Sequence, residues 1–408
     1  MATNPSSNPD AAAPSPRAWL KRTWPLLLAV AAIVALRLVS AYFVPDVFCD
    51  EIEVHAHVNS MIATGCDSLG NPHPLYTKEG DGLHTFTYLY PMSLLCRMFG
   101  KSVDSMRLLQ QILTILSCLL LAATVRKWGG GERRFWIVLI VSLTLPWGFL
   151  QANRAWDPAL VPLYFSIAFW FSTQVLRGGP GKAKTWHVVA ASVFLVLLAT
   201  LYPPNRIPAV WMWLWLFFVA WREGKVTPRQ LAVAVAVSVL VSLPMVVSFF
   251  CYPGFNTRPI YLFVFRGRPV GVALQLMAKS FAGLFSADFL FATGDLCRRH
   301  SLPVLGMLGP LSVVPLWMFV RRVRFAAPVT LLAGVILTVY FADALTVYDY
   351  KSPNSLRSCM AWMPWAVFLA CGWDWFLEGR GRAARVAWYA AYAVWVAVYF
   401  GFYMHYNA

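Results

Sequence analysis

The chain has 408 residues, of which 59% are hydrophobic and only 13% are charged, and it contains 19 Trp. This composition excludes a soluble globular enzyme and predicts an all-α polytopic membrane protein. The formal net charge of +16 does not indicate a nucleic-acid partner, because the basic runs are short, flank apolar segments and lack the stacking aromatic residues of a strand-binding groove.

Residues 1–17 are rich in Ala, Pro, Ser and Asn, and we expect them to form a disordered cytoplasmic tail. From residue 18 to residue 408 the sequence predicts one transmembrane domain. Its apolar segments predict about eleven helices, each crossing roughly 30 Å of hydrocarbon. These spans lie near residues 23–45, 105–125, 135–151, 158–176, 187–203, 207–221, 231–252, 303–320, 326–347, 358–376 and 386–405. No small-residue cleavage site follows the first span cleanly, so we expect a retained anchor.

Short basic runs fall on one side of the predicted membrane when the N-terminus is placed in the cytoplasm. They cover residues 17–22, 126–134, 177–184, 222–229, 321–324 and 380–385. Cytoplasmic loops carry an excess of Lys and Arg, so the runs predict an inner (plasma) membrane protein with a cytoplasmic N-terminus. Most acidic residues then lie on the opposite, periplasmic side or within the spans.

The periplasmic side carries two long polar insertions, residues 46–104 and 253–302. Polar residues gathered outside the membrane indicate a reaction or recognition there, whereas a transporter more often has its ionisable residues near the bilayer midplane. The first insertion begins with Asp50 and Glu51, where the first span leaves the bilayer. Apolar spacing predicts a short interfacial helix over residues 50–62 and a second amphipathic segment over residues 86–100.

Two pairs each combine a glutamate with a histidine four residues later: Glu51 with His55 and Glu53 with His57. This spacing can seat a divalent cation on one helix face. A single helix supplies only two ligands per face, and no His–Cys cluster is present in the sequence. We therefore assign no metal and no cofactor, and a divalent cation at Glu51 and His55 stays an open alternative.

Charged residues, glycines and prolines form one ordered series along the outer segments. They are Arg37, Asp50-Glu51, Gly65-x-Asp67-x-x-Gly70, Pro74, Tyr88-x-x-Pro91, Phe99-Gly100 and Arg107, then Pro146-Trp147 and Asn153 to Asp157, and finally Phe291 to Asp295, Arg298, Arg299, His300 and Pro303. This order resembles the C-type glycosyltransferases (GT-C), and it is most similar to the branch of bacterial protein O-mannosyltransferases and aminoarabinose transferases. The resemblance is close over residues 37–176, looser over 285–320 and 345–377, and faint over 180–285.

The resemblance implies a GT-C fold and transfer of a sugar, with inversion, from a polyprenyl-phosphate donor at the outer membrane face. The acceptor group would be a hydroxyl, amine or phosphate of a protein, lipid or glycan, and membrane lipid is a further partner. The chain ends directly after the last predicted span, so we expect the two outer insertions to recognise the acceptor. The sequence does not identify the sugar.

The attacking hydroxyl must lose a proton, so the reaction needs a carboxylate base. The resemblance assigns this role to Asp50, and the alternative is that Asp50 caps the interfacial helix. Glu51 and Asp157 are the further catalytic candidates. Asp157 precedes Pro158 and would equally serve as a helix cap.

A leaving lipid phosphate suits arginine, whose planar fork binds phosphate oxygens bidentately. The donor-phosphate candidates on the outer side are Arg357, Arg154 and Lys351. Arg154 would alternatively clamp Asp157. The candidates for the acceptor pocket are Asp295, Arg298 and His300.

Two other function classes stay open at this point. In a lipid or solute transporter, Asp50 and Asp343 would be coupling residues, although the sequence shows no internal repeat between its halves. In a non-catalytic scaffold of the same fold, the two adjacent carboxylates would be dispensable.

Overall fold

The computed structural model describes residues 16–44, 47–79, 82–251, 257–295, 297, 302, 305–324, 326–346 and 353–407. Within these ranges the chain forms α-helices and one antiparallel hairpin. The elements are α1 Pro16–Ser40, α2 Cys49–Thr64, β1 Tyr76–Glu79, β2 Gly82–Thr85, α3 Phe86–Phe99, α4 Val103–Val125, α5 Gly131–Thr144, α6 Pro146–Ala152, α7 Val161–Arg177, α8 Thr185–Leu201, α9 Arg206–Arg222, α10 Pro228–Cys251, α11 Thr257–Leu262, α12 Val270–Gly283, α13 Val313–Arg322, α14 Ala327–Leu345, α15 Trp362–Leu377 and α16 Arg382–Asn407. Residues 1–15 of the predicted tail lie outside the described residues, and Pro16 and Arg17 already belong to α1.

Six helices in the described part of the chain are long and apolar enough to cross a membrane: α1, α4, α7, α10, α14 and α16. The pair α5 and α6 adds a seventh span if it is counted as one, and the pair bends by 56° at its break. Pro146, the first residue of α6, causes this break because proline has no N–H to continue the ladder of α5.

Four predicted spans coincide with shorter helices. Helices α8 and α9 have 17 residues each, α15 has 16 and α13 has only 10. The predicted span near 303–320 is therefore shorter than expected. Gly309, with a φ of +76°, precedes a 3-10 turn that begins at Pro310 and prevents an earlier helix start. The Met307 N–H instead donates to the carbonyl of Phe289.

Contacts between helix termini define two ends of the bundle. At the end that carries α2, the hairpin and α3, called the loop end, Arg37 near the end of α1 is fully buried. It donates to Gln111 near the start of α4 at 3.0 Å and to the carbonyl of Leu143 near the end of α5 at 2.7 Å. At the opposite end, called the basic end, Arg134 of α5 lies 2.9 Å from Asp374 of α15.

The first outer insertion is mostly helical, and the helices predicted over 50–62 and 86–100 correspond to α2 and α3. Gly65, in the left-handed conformation, ends α2. The hairpin between the two helices was not predicted, and its register pairs Tyr76 with Thr85 and Thr77 with His84. The hairpin continues directly into α3, so His84 lies next to the start of that helix.

The outer surface of the bundle is strongly apolar. Only 11% of the apolar window of α10 is buried, and this helix exposes Leu240, Phe249 and Phe250. A helix that is apolar on its exposed side fits hydrocarbon and not water.

Candidate active site

A buried ion cluster lies where α2 meets the bundle. Glu51, in the first turn of α2, is fully buried. Arg107 Nε donates to its Oε1 at 2.8 Å and Arg107 Nη2 donates to its Oε2 at 2.7 Å. The Ala155 N–H donates to Oε1 at 2.8 Å, and Arg154 Nη1 lies 3.4 Å from Oε2. Glu51 therefore ties α2 to α4 and to the turn after α6.

The charge of Glu51 is stabilised by these partners. Burial opposes the ionised form, but Arg107, the Ala155 N–H and Arg154 together hold the pKa of the Glu51 carboxyl below its ordinary value. The Arg154 guanidinium also lies 4.0 Å from the ring centre of Phe48. Arg107 Nη1 also lies 3.7 Å from Oδ1 of the exposed Asp104, so the two guanidinium groups are balanced by one buried and one exposed carboxylate.

A second charged group centres on His84 of β2. His84 Nδ1 lies 3.3 Å from Asp157 Oδ1, and His84 Nε2 lies 3.7 Å from Glu53 Oε2. Burial disfavours the imidazolium, but Asp157 and Glu53 outweigh this effect and raise the pKa of His84 to about 9. His84 is therefore a buried cation at neutral pH, held between two carboxylates.

Asp50 lies in the first turn of α2, next to Glu51, and it is half-buried. The N-cap position of α2 is Phe48, and the Phe48 N–H donates to Glu51 Oε2 at 3.3 Å, so the structure does not support the capping alternative for Asp50. Asp50 Oδ1 accepts from the Cys49 thiol at 3.4 Å, and Asp50 lies close enough to Asp157 for the two charges to interact. No Arg, Lys or His among the described residues forms an ion pair with Asp50.

Asp295 and Arg357 belong to a second group of contacts near the start of α15. Asp295 Oδ2 accepts from the N–H of Ser355 at 2.6 Å and from its hydroxyl at 2.8 Å, and Asp295 Oδ1 accepts from the Cys297 N–H at 2.7 Å. The Arg357 guanidinium donates to the carbonyl of Thr346, directly after α14. These contacts tie the second insertion to the segment before α15.

Three predicted site residues, Arg298, His300 and Lys351, lie outside the described residues. Glu51 and His55 do not face a common position for a cation, because Glu51 contacts arginines and His55 Nε2 lies 2.8 Å from the carbonyl of Lys101. Among the described residues, no three or more His, Cys, Asp or Glu side chains are grouped as metal ligands.

His84 was not predicted from the sequence. It lies 73 residues before Asp157 in the chain, and the hairpin that carries it has too few residues for a periodic pattern. A single polar imidazole between Leu83 and Thr85 was the available signal. The pairing of Glu51 with Arg107 was also missed, although both residues belong to the ordered series that carries the family resemblance.

The chain matches no known protein-family profile and no curated sequence. It is similar to two solved structures of ArnT from Cupriavidus metallidurans. For ArnT bound to undecaprenyl phosphate, the TM-score is 0.57 at 16% identity, and the match covers 93% of this chain and 70% of ArnT. For apo ArnT, the TM-score is 0.57 at 14% identity, and the match covers 87% and 60%. ArnT is an aminoarabinose transferase of the GT-C superfamily. The predicted fold is thus confirmed: the chain is an all-α integral membrane protein with the GT-C fold.

Proposed function

We propose that the chain is a membrane glycosyltransferase that moves a sugar from a polyprenyl-phosphate donor to an acceptor, with Asp50 as the general base. One observation carries this proposal. Of the three neighbouring acids Asp50, Glu51 and Asp157, only Asp50 has no cationic partner among the described residues. A general base needs an accessible lone pair, which a carboxylate already bound by arginine or imidazolium lacks.

The Glu51 cluster supports the position of the donor phosphate. Arg107 is shared between Glu51 and the exposed Asp104, which lies 3.7 Å from its Nη1, whereas Arg154 approaches one oxygen of Glu51 at 3.4 Å. Arg154 therefore makes the weaker contact with Glu51 and is the more exposed of the two guanidinium groups, which favours it as a ligand for a phosphate. ArnT has been solved with undecaprenyl phosphate, which supports a polyprenyl-phosphate donor on this fold. We propose Arg154 as the primary phosphate ligand, with Arg357 and Lys351 as further candidates from the outer segments.

The proposed reaction is a single displacement. The acceptor hydroxyl gives its proton to Asp50, its oxygen bonds to the anomeric carbon, and the bond from that carbon to the phosphate oxygen breaks. Polyprenyl phosphate leaves as the anion, and attack from the opposite face inverts the configuration. An amine acceptor follows the same path.

His84 and Asp157 serve this site indirectly. The imidazolium offsets one of the two negative charges of Asp157 and Glu53, which lowers the negative potential at Asp50. We propose that Asp157 positions His84 and the hairpin, while Glu51 positions Arg154. Asp295, Arg298 and His300 stay candidates for acceptor recognition, and we propose that the site faces the periplasm of an inner membrane.

The experiment uses the purified full-length protein in lipid nanodiscs and a panel of undecaprenyl-phosphate sugars, including the aminoarabinose and mannose derivatives. The measurement is release of undecaprenyl phosphate with lipid A or a Ser/Thr-rich peptide as acceptor. ArnT from Cupriavidus metallidurans is the matched control for assay competence. We expect acceptor-dependent release from at least one donor. No release by folded protein, while ArnT is active, would contradict the proposal, and solute uptake into proteoliposomes would then favour a transporter.

A further inference from the structure

A basic cleft lies at the opposite end of the bundle from the candidate active site. Its volume is about 650 Å³, and it lies between the end of α4, the start of α5 and the end of α7. Arg126 and Lys127 line it from one side and Arg177 from another, together with Glu132 and Trp170. The cleft is far from the residues used for sugar transfer, so its role is independent of the proposed function.

Some basic side chains elsewhere at this end have carboxylate partners: Arg134 with Asp374 at 2.9 Å, Lys225 with Glu223 at 2.6 Å and Arg322 with Glu378 at 3.0 Å.

In the cleft, three cations face one carboxylate, that of Glu132. Within the described ranges, Arg126 and Arg177 form no ion pair. The lining therefore has an excess of two positive charges.

The local backbone builds the cleft. Helix α4 ends in a π-helical turn, Arg126–Gly130, and Gly131 follows with a φ of +64°. π-helical turns are rare overall, but those that occur often lie at functional sites. The turn brings Lys127 over the ring of Trp170 of α7, with 3.8 Å between Nζ and the ring centre. This cation–π contact fixes the ammonium group at the wall of the cleft.

We propose that this cleft binds the headgroup of an anionic phospholipid of the cytoplasmic leaflet, with two phosphodiester groups as in cardiolipin. Arginine forks suit phosphate oxygens, and the excess of two positive charges matches two phosphodiesters. Phe135 and Trp170 provide an apolar wall for the glycerol and upper acyl carbons. The excess of Lys and Arg assigns this end to the cytoplasm, where basic pockets between helices bind lipid headgroups.

The test compares two double variants of the full-length protein in a neutral detergent. Arg126→Gln with Arg177→Gln removes two charges from the cleft. Arg382→Gln with Arg385→Gln removes two exposed charges from the same end of the bundle and is the matched control. Binding of cardiolipin is measured by native mass spectrometry over a titration, with phosphatidylcholine as the neutral lipid.

We expect about a 25-fold loss of cardiolipin affinity in the cleft variant, at about fivefold for each cation, and less than about twofold in the control. Trp170→Leu keeps every charge and should weaken binding about two- to fivefold, because it releases Lys127. Unfolding temperatures measured without cardiolipin should match that of the wild type for both double variants, since all four arginines are exposed.

Three results would overturn the proposal. Equal losses in both double variants would mean general attraction of anionic lipid to this end. Displacement of cardiolipin by phosphatidylcholine would remove the role of the phosphodiester charges. Displacement by millimolar inorganic phosphate would make the cleft a site for a soluble anion.

Discussion

Glu51→Gln isolates the charge of the buried cluster while keeping the shape of the side chain. The wild-type carboxylate receives two hydrogen bonds from Arg107 at 2.8 and 2.7 Å, and Arg154 lies at 3.4 Å. The neutral amide removes the buried carboxylate that both guanidinium groups contact, while Arg107 keeps its exposed partner Asp104, 3.7 Å from Nη1. Removing one partner of a buried ion pair costs about 3–5 kcal/mol, and we expect a loss of this size in the free energy of unfolding.

The distances also predict how the two arginines share this effect. In double-mutant cycles, Glu51 should couple more strongly to Arg107, which binds both carboxylate oxygens, than to Arg154, which approaches one. Unfolding of full-length protein in mixed micelles with increasing dodecyl sulfate, followed by circular dichroism, gives these free energies. Glu378→Gln, which breaks an exposed pair with Arg322, is the control and should cost at most about 1 kcal/mol.

The pKa of Glu51 adds a pH dependence with a fixed sign. Its pKa is lower in the folded than in the unfolded protein. The stabilisation is therefore present above the ordinary carboxyl pKa and is lost as the pH falls through the folded value. The Glu51→Gln variant should lack this acid-dependent loss. A cost near that of Glu378→Gln, or coupling to Arg154 that exceeds coupling to Arg107, would refute the account of the cluster.

Two further predictions concern His84 and the packing of α13 on α15. The pKa of His84 is raised to about 9, so its charge should stabilise the fold by about 3 kcal/mol. This stabilisation should be complete below pH 6.5 and lost as the pH rises through 9. His84→Gln should flatten the pH dependence of the unfolding free energy measured from pH 6 to 10, and an unchanged pH dependence would contradict the assignment. A Cβ on Gly372 would lie 1.8 Å from the carbonyl oxygen of Pro315, so Gly372→Ala should destabilise by about 1–3 kcal/mol or more. Gly401→Ala, whose Cβ meets no atom within 4 Å, is its control and should be neutral or stabilising by up to about 1 kcal/mol, and equal melting temperatures would contradict the packing.

The sequence predicted the fold well where the signal is local. The length and apolar character of α10 or α14 follow from consecutive residues, and the helices α2 and α3 follow from periodicity. The span near 303–320 was predicted too long, because residues such as Met307 and Leu308 are apolar through burial inside the protein and not through contact with lipid. Apolar composition alone does not separate these two environments.

The candidate site depends on contacts between distant residues, which a single sequence does not contain. Glu51 and Arg107 lie 56 residues apart, so the sequence left Glu51 open as a catalytic residue or a metal ligand and gave no sign of its pairing with arginine. Asp50 and Glu51 are adjacent, and only the structure separates the half-buried side chain from the fully buried one. His84 was missed for the same reason, since its partners come from α2 and from the turn before α7.

The central claim is that Asp50 removes the acceptor proton, and the rate of sugar transfer by Asp50→Asn tests it most directly. Asn keeps the size of the side chain but cannot take up a proton, so transfer at saturating donor should fall at least about a hundredfold while donor affinity stays near the wild-type value. Glu378→Gln changes an exposed acid at the basic end of the bundle and should leave the rate within about twofold, as expected for a surface change. Wild-type transfer rates in Asp50→Asn would contradict the account.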